Sequence, residues 1–316
     1  MSLRIAFQMD PLEELALQTD STIALAIEAQ KRGCQLWHYC PRALFLEDTT
    51  PKAVAAPLHV EETTRVHAKL GTTRVVELAD MDLVLIRQDP PLDMAYLSTT
   101  YILERLPKST LVLNDPAGIR NAPEKLLPLQ FPELIPPTLI AKNKEQILDF
   151  LELHKDIILK PLYEFGGRAV VRLQERESNI SALIDFFDRL YDTPIIAQKF
   201  IPDVFAGDKR LLLVDGELIG GFTRVPQTGD IRSNMMVGGQ PQACKITERD
   251  TYACGALKGV LQQLGLFFVG IDIVGEYLIE INVTSPTGIR VLNQLERTHV
   301  ESTIWDGIEE KIARNR

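Results

Sequence analysis

Leu83-Val84-Leu85-Ile86 is a continuous apolar run, with the length of a strand buried on both faces of a parallel sheet. It empties into Arg87-Gln88-Asp89-Pro90-Pro91, which continues no regular element because proline lacks a donor and restrains the residue before it. A strand covered on both faces needs neighbouring strands and helices, and the flanking chain supplies them. Leu3 to Met9 is a short apolar run stopped by Asp10-Pro11. Asp20 is placed to cap a helix through Ala24, Leu25, Ile27 and Glu28 to Arg32, with Gly33 as its C′ stop. Gln35 to Tyr39 reads as a strand, and a polar, weakly patterned stretch follows to about Asp80. A helix around Ala95 to Leu106 and a strand at Leu111-Val112-Leu113 complete a β-α-β series, which predicts a small doubly wound α/β domain.

Beyond Asn114-Asp115-Pro116 the pattern changes. Asn143 with Gln146 resembles a capping box opening a helix to His154. Ile157-Ile158-Leu159 is a strand ending at Lys160-Pro161, followed by the loop Tyr163-Glu164-Phe165-Gly166-Gly167-Arg168. A helix from Ile180 to Tyr191 leads to the strand Ile195 to Gln198. Asp215-Gly216, between Leu211 to Val214 and Glu217 to Ile219, is a hairpin signal because both turn positions favour positive φ. Arg224 to Gln240 is rich in glycine and polar residues, and its length suits a lid. A helix from Arg249 to Gly265, a hairpin from Phe267 to Val283 and a C-terminal helix end the chain.

With 316 residues the chain suits two packed lobes or three small ones. It carries 34 Lys plus Arg against 43 Asp plus Glu, a net charge of −9, which argues against a broad surface for nucleic acid or anionic membrane. No apolar run approaches the ~18 residues of a membrane span, and the N-terminus runs directly into a strand, so no signal peptide is expected. Cys34, Cys40, Cys244 and Cys254 are scattered without a CxxC pair, as are the five histidines, so zinc and disulfides are not expected and the setting is cytoplasmic.

The densest chemical signal is Gly270-Ile271-Asp272-Ile273-Val274 followed by Leu278-Ile279-Glu280-Ile281-Asn282-Val283. Period two places Glu280 and Asn282 on one face and Ile279, Ile281 and Val283 on the other. If Asp272 pairs opposite Glu280, the connection holds an odd number of residues or the ladder carries a bulge. Three oxygen-bearing side chains then converge on one face, a set suited to Mg2+. Taken alone, they fit the solvent face of an ordinary half-exposed hairpin at least as well.

Lys160 ends its strand beside Gly166-Gly167, whose backbone N–H groups suit phosphate oxygens. Lys125 stands in a segment otherwise poor in basic residues, and Arg210 and Arg224 flank the Asp215-Gly216 hairpin, where planar guanidinium groups suit carboxylate and phosphate. Each of these is individually ordinary for a surface, and the glycines are neither a P-loop nor a GxGxxG fingerprint. Their order along the chain is more telling: lysine, lysine with glycine loop, strand with Gln198-Lys199-Phe200, basic hairpin, flexible loop, then acid and acid-x-Asn.

That order resembles an ATP-grasp enzyme, and the chain resembles the bacterial-type glutathione synthetases from about residue 4 to residue 310. The likeness rests on Met9-Asp10-Pro11, Arg87 to Pro91, Tyr101 to Arg105, Ile157 to Leu162, Gly207 to Arg210 and, most discriminating, Glu280-Ile281-Asn282-Val283-Thr284-Ser285-Pro286-Thr287. The resemblance implies an N-terminal doubly wound (pre-ATP-grasp) domain over 1–121 and an ATP-grasp fold of two α+β lobes over 122–316, lid-like at about 122–200 and catalytic at about 201–316. It implies ligation of γ-glutamylcysteine with glycine through an acyl phosphate, with ATP as co-substrate, two Mg2+ ions (Mn2+ possible) and a homotetramer. By the same resemblance, Lys125, Lys160, Gly166 and Gly167 contact the ATP phosphates, Gln198, Lys199, Phe200 and Ile201 read the adenine, and Asp208 stands on the ribose side. Asp272, Glu280 and Asn282 bind metal, Arg210 and Arg224 stabilise the acyl phosphate, and Arg87, Ser285 and Thr287 line the peptide and glycine sites. One departure lies in the small loop, where the family runs Asp-Gly-x-Gly-Gly or similar and this chain begins Tyr163-Glu164.

Another ATP-grasp ligase, acting on D-alanine or a glutamate tail, is disfavoured by Val283 to Thr287 and Arg87 to Pro91. A nucleotide-binding oxidoreductase would need a glycine fingerprint after the first strand, where Gln8-Met9-Asp10-Pro11-Leu12 stands. A non-catalytic relative would be expected to lack a metal ligand, and all three are present.

Overall fold

The computed structural model describes residues 2–315. The chain opens with β1 (Arg4–Gln8), α1 (Ser21–Lys31) and β2 (Gln35–Tyr39). Asp20 accepts a hydrogen bond from the Ile23 N–H at 2.8 Å, the N-cap expected from sequence. Four strands follow: β3 (Leu44–Glu47), β4 (Thr50–Glu62), β5 (Val66–Leu70) and β6 (Arg74–Glu77). They occupy the stretch whose sequence shows little pattern, because β4 buries small alanines (Ala53, Ala55) where larger apolar residues would have marked the alternation. Then come β7 (Leu83–Ile86), α2 (Met94–Leu103) and β8 (Leu111–Leu113). The sheet order is β3-β4-β2-β1-β7-β8, with β5 and β6 paired to β4; β2, β1, β7 and β8 are parallel. Every residue of β7 is buried, as its uninterrupted apolar run requires.

After α3 (Pro116–Asn121), a four-stranded antiparallel sheet forms from β9 (Thr138–Ala141), β10 (Asp156–Pro161), β11 (Val171–Gln174) and β12 (Ile195–Lys199), in order β11-β10-β12-β9. It is backed by α4 (Lys144–His154) and α5 (Ile180–Leu190), and Asn143 caps α4 through the Gln146 N–H at 3.1 Å. Ile147, Leu151, Ile157, Leu159, Ile184 and Phe187 form this lobe's own core.

The third sheet combines β13 (Asp208–Val214), β14 (Glu217–Val225), β15 (Gln240–Ala243), β16 (Phe268–Val274) and β17 (Tyr277–Asn282), in order β15-β14-β13-β16-β17. Asp215 and Gly216 take φ of 50° and 81°, the two-residue turn their identities favour. Between β15 and β16 lies α6 (Glu248–Gln263), and α7 (Ile289–Glu296) and α8 (Val300–Asn315) close the chain. The cap of α6 is Thr247, reciprocated by Asp250 in a capping box.

Two cores run across the N-terminal and third sheets, joining Ala6, Trp37 and Val84 with Val269, Ile271 and Ile281, and Phe7 and Leu25 with Phe222, Phe268 and Trp305. Buried Asn114 stitches these sheets, donating to the carbonyls of Phe268 (2.9 Å) and Val283 (2.7 Å) and accepting from the Phe268 N–H (2.9 Å). The four-stranded lobe, with its separate core, is the less firmly joined body. Among the described residues no helix is long and apolar enough to cross a membrane.

Candidate active site

The four-stranded and five-stranded sheets face each other across a cleft of about 900 Å³. On the upper wall, Lys160 and Gln198 project from adjacent strands on the same face, and Lys160 Nζ donates to Gln198 Oε1 at 3.1 Å. Lys160 is only 7% exposed, so this strand-end lysine is no surface charge. Burial pushes its ammonium down to about 8 against the pull of Glu280. Lys199, Phe200 and Ile201 continue the wall, and Gly166 and Gly167 lie in the loop below it with φ of 64° and 78°.

The lower wall is a row of charges across the five-stranded sheet. Asp208 pairs with Arg224, Arg210 with Asp272 and Asp272 with Glu280 in the strand register. Arg210 grips Asp272 through Nε (2.5 Å) and Nη2 (2.9 Å), and Arg224 grips Asp208 through Nε (2.6 Å) and Nη2 (2.8 Å) while also reaching Asp272 Oδ1 at 2.9 Å. Burial works to raise the Asp272 carboxyl, but Arg210 and Arg224 outweigh it and hold the group well below the usual carboxylate range. Asp208 goes the other way, pushed up by burial and by Asp272 in spite of Arg224.

The hairpin between β16 and β17 has a two-residue turn, Gly275-Glu276, and gains its register from a bulge between Asp272 and Ile273. Of the two arrangements open to the sequence, the ladder takes the bulge. Ile279 is the extra residue, and the alternation expected for β17 is corrected accordingly: Leu278 and Ile281 are buried, while Ile279 lines the cleft beside Glu280. Asn282 donates to Asp272 Oδ2 at 3.3 Å. Asp272, Glu280 and Asn282 thus gather on one face of the sheet, the two acids lining the cleft and Asn282 beside Asp272. Two carboxylates and an amide oxygen fit a hard divalent cation, and Asp272 is held ionised there. No group of three or more His, Cys, Asp or Glu able to hold a metal occurs among the described residues, so an amide must complete such a set.

Lys125 connects the walls: Nζ meets Glu280 Oε1 at 3.0 Å and donates to the Glu164 carbonyl. At the Tyr163-Glu164 departure, Glu164 lines the cleft and offers its main-chain carbonyl to this lysine. Sequence reasoning missed Glu124, whose carboxylate accepts from the Val283 N–H (2.9 Å), the Thr284 N–H (3.2 Å) and the Thr284 hydroxyl (2.9 Å). Glu124 fixes the acid-x-Asn strand end beside Lys125; only its adjacency to that lysine could have pointed to it. Arg168, Arg232 and Ser233 were also missed and line the cleft.

The loop expected from Arg224 to Gln240 is shorter at both ends, because Arg224 and Val225 pair in β14 and Gln240 in β15; the 226–239 segment between them folds over the cleft. Ser233 is buried and its hydroxyl donates to Asp208, and Met236 and Asn234 pack so closely on Gly166 and Gly167 that an added Cβ would come within 3.0 and 2.8 Å of them. Arg87, Ser285 and Thr287 are not in this cleft. Arg87 is buried at the end of β7, donating to Thr22 Oγ1 (3.0 Å) and the Pro286 carbonyl (2.9 Å), and Ser285 donates to the Arg87 carbonyl (3.2 Å). Thr287 is exposed just beyond.

Two antiparallel lobes closing on lysines, with an acid row below, define an ATP-grasp ligase. Solved structures carry the same fold: D-cycloserine synthetase matches with a TM-score of 0.69 at 15% identity over 98% of this chain and 99% of that one. A RimK domain ATP-grasp protein from Sphaerobacter thermophilus matches with a TM-score of 0.64 at 18% identity, over 96% and 98%. The family is sharper. Residues 3–120 match the prokaryotic glutathione synthetase N-terminal domain, and residues 124–297 match the prokaryotic glutathione synthetase ATP-grasp domain. Glutathione synthetase of Brucella melitensis is 44% identical over 98% of this chain and 99% of its own length. That of Mesorhizobium japonicum is 43% identical over 98% and 99%. The chain belongs to the prokaryotic glutathione synthetases and is an ATP-dependent ligase.

Proposed function

We propose that the enzyme joins γ-glutamylcysteine to glycine in two steps, with ATP held in this cleft. The glycyl-accepting carboxylate attacks the γ-phosphate of ATP, giving an acyl phosphate and ADP. Glycine's amine then displaces phosphate and forms glutathione. The observation that carries the reading is the pair Glu280–Asp272, lining the cleft opposite Lys160 with Lys125 between and with Arg210 gripping Asp272.

No protein nucleophile is needed, because the substrate carboxylate attacks by itself; the protein's contribution is position and charge. Lys125 and Lys160 neutralise phosphate oxygens, the Gly166-Gly167 amides cradle them, and Gln198 to Ile201 hold the adenine. Asp208 holds Arg224 and the lid and borders the ribose. Arg210 and Arg224 face the transferring phosphoryl group. Asp272, Glu280 and Asn282 would hold two Mg2+ ions, or Mn2+ in their place, which supply charge neutralisation at the phosphates. Arg87, Ser285 and Thr287 belong to the peptide and glycine sites, Arg87 on the 1–121 domain and the other two in the segment between β17 and α7. An acyl phosphate hydrolyses readily, and closure of 226–239 excludes water. The family resemblance supports a cytoplasmic homotetramer.

ADP release with γ-glutamylcysteine and glycine, together and singly, tests the substrates. Full turnover is expected only with both; turnover indifferent to the dipeptide would overturn the assignment.

A further inference from the structure

A second cavity, of about 1020 Å³, lies between α7 and the N-terminal domain and shares no lining residue with the nucleotide cleft. Arg290, Asn293 and Gln294 line it from one face of α7, at spacings of three and four, Arg297 joins them from the left-handed residue that ends the helix, and Lys31 and Glu62 stand on the opposite wall. Arg290 is the unusual member. Its Nη1 donates to Glu62, but Nε and Nη2 are buried and without a hydrogen-bond partner among the described residues. Nε and Nη2 are the same edge by which Arg210 grips Asp272 and Arg224 grips Asp208. Buried donors are ordinarily satisfied, and this edge matches two oxygens of one carboxylate or phosphate.

The surroundings favour negative charge. Lys31, Arg290 and Arg297 line the cavity against Glu62 and Glu301, in a chain whose net charge is −9. Glu62 is already shared by Arg290 and Lys31, the latter at 3.9 Å. Glu301 accepts from Asn293 Nδ2 at 2.5 Å and lies 3.5 Å from His299 Nδ1, so both acids already have partners other than this edge.

We infer that this cavity binds a small anion bearing a carboxylate or phosphate, gripped by the Nε–Nη2 edge of Arg290 with Arg297 and Lys31 completing the charge. The edge is shielded from water, so Arg290 turns it toward the cavity as the anion enters, with Glu62 as the pivot. Such a ligand ties α7 to the N-terminal domain. Gly288, just before α7, already donates from its N–H to Ser21 Oγ at 3.0 Å.

Calorimetric titration of the full chain tests this, with the nucleotide cleft first filled by a non-hydrolysable ATP analogue and Mg2+. The probes are inorganic phosphate and succinate, titrated separately. Saturable binding of at least one is expected, weakened tenfold or more by Arg290→Gln and severalfold by Gln294→Glu. Gln294 is exposed, so that variant keeps the test open if Arg290→Gln fails to fold. Tighter phosphate binding identifies free phosphate as the source, and tighter succinate binding a carboxylate-bearing metabolite. No binding of either probe, or wild-type binding in Gln294→Glu, would overturn the proposal.

Discussion

Asp272 stands directly opposite Glu280 although the turn joining their strands has an even number of residues, because Ile279 is bulged out of the ladder between them. Without the bulge, period two would put the carboxylates on opposite faces of the sheet. With it, both point into the cleft and Ile279 gives that end an apolar wall. Glu280→Gln keeps the shape and removes the charge. Turnover should fall on the order of a thousandfold while the melting temperature stays within a few degrees of wild type, measured by steady-state ADP release and thermal denaturation. Near-full activity would remove Glu280 from the metal set.

Asp272 is the hub of the charge row, so its loss should be felt in stability as well as rate. Asp272→Asn leaves Arg210 without its bidentate partner and Arg224 with Asp208 alone. Breaking a buried pair by removing one partner costs about 3–5 kcal/mol. Urea unfolding should show a loss of that order, whereas Glu280→Gln, half-buried and facing Lys125, should not.

Some of this was legible in sequence because it is local. Asp20, Asn143 and Asp215-Gly216 act on their own backbone neighbours, and each does in the fold what its chemistry suggests. The apolar run of β7 likewise declares its own burial. The burial of Lys160, the role of Glu124 and the outward turn of Ile279 depend on which strand arrives opposite, and no local pattern encodes that. The strands from Leu44 to Glu77 were hidden because alanines form much of their buried face. The order of lysines, glycines and acids was readable, but only as a resemblance.

Nucleotide affinity should depend on pH through Lys160. The buried ammonium titrates at about 8 in the folded protein, below the roughly 10.4 of an unfolded lysine. The unfolded chain therefore binds more protons between these values, and stability rises with pH across that window as the buried charge is relieved. ATP affinity moves the opposite way and should weaken above pH 8, by up to about tenfold per unit. Fluorescence titration of ATP from pH 6.5 to 9.5 reads this directly. Lys160→Arg, which stays charged, should flatten the profile.

The glycine loop and the lid meet at Gly167 and Asn234. Gly167→Ala forces a side chain into positive φ, costing roughly 1 kcal/mol, and places its Cβ 2.8 Å from Asn234 Oδ1. The lid should seat less tightly. The expected outcome is a higher KM for ATP and phosphate released in excess of glutathione formed, because water reaches the acyl phosphate. Unchanged coupling of the two products would contradict this use of the lid.

If the substrate's own carboxylate is phosphorylated, its oxygen must leave with the phosphate. γ-Glutamylcysteine labelled with 18O in its cysteinyl carboxylate, turned over with ATP and glycine, tests this in one mass measurement. One labelled oxygen is expected in each phosphate released; phosphate that carries no label, its oxygen drawn from water, would contradict the acyl-phosphate route.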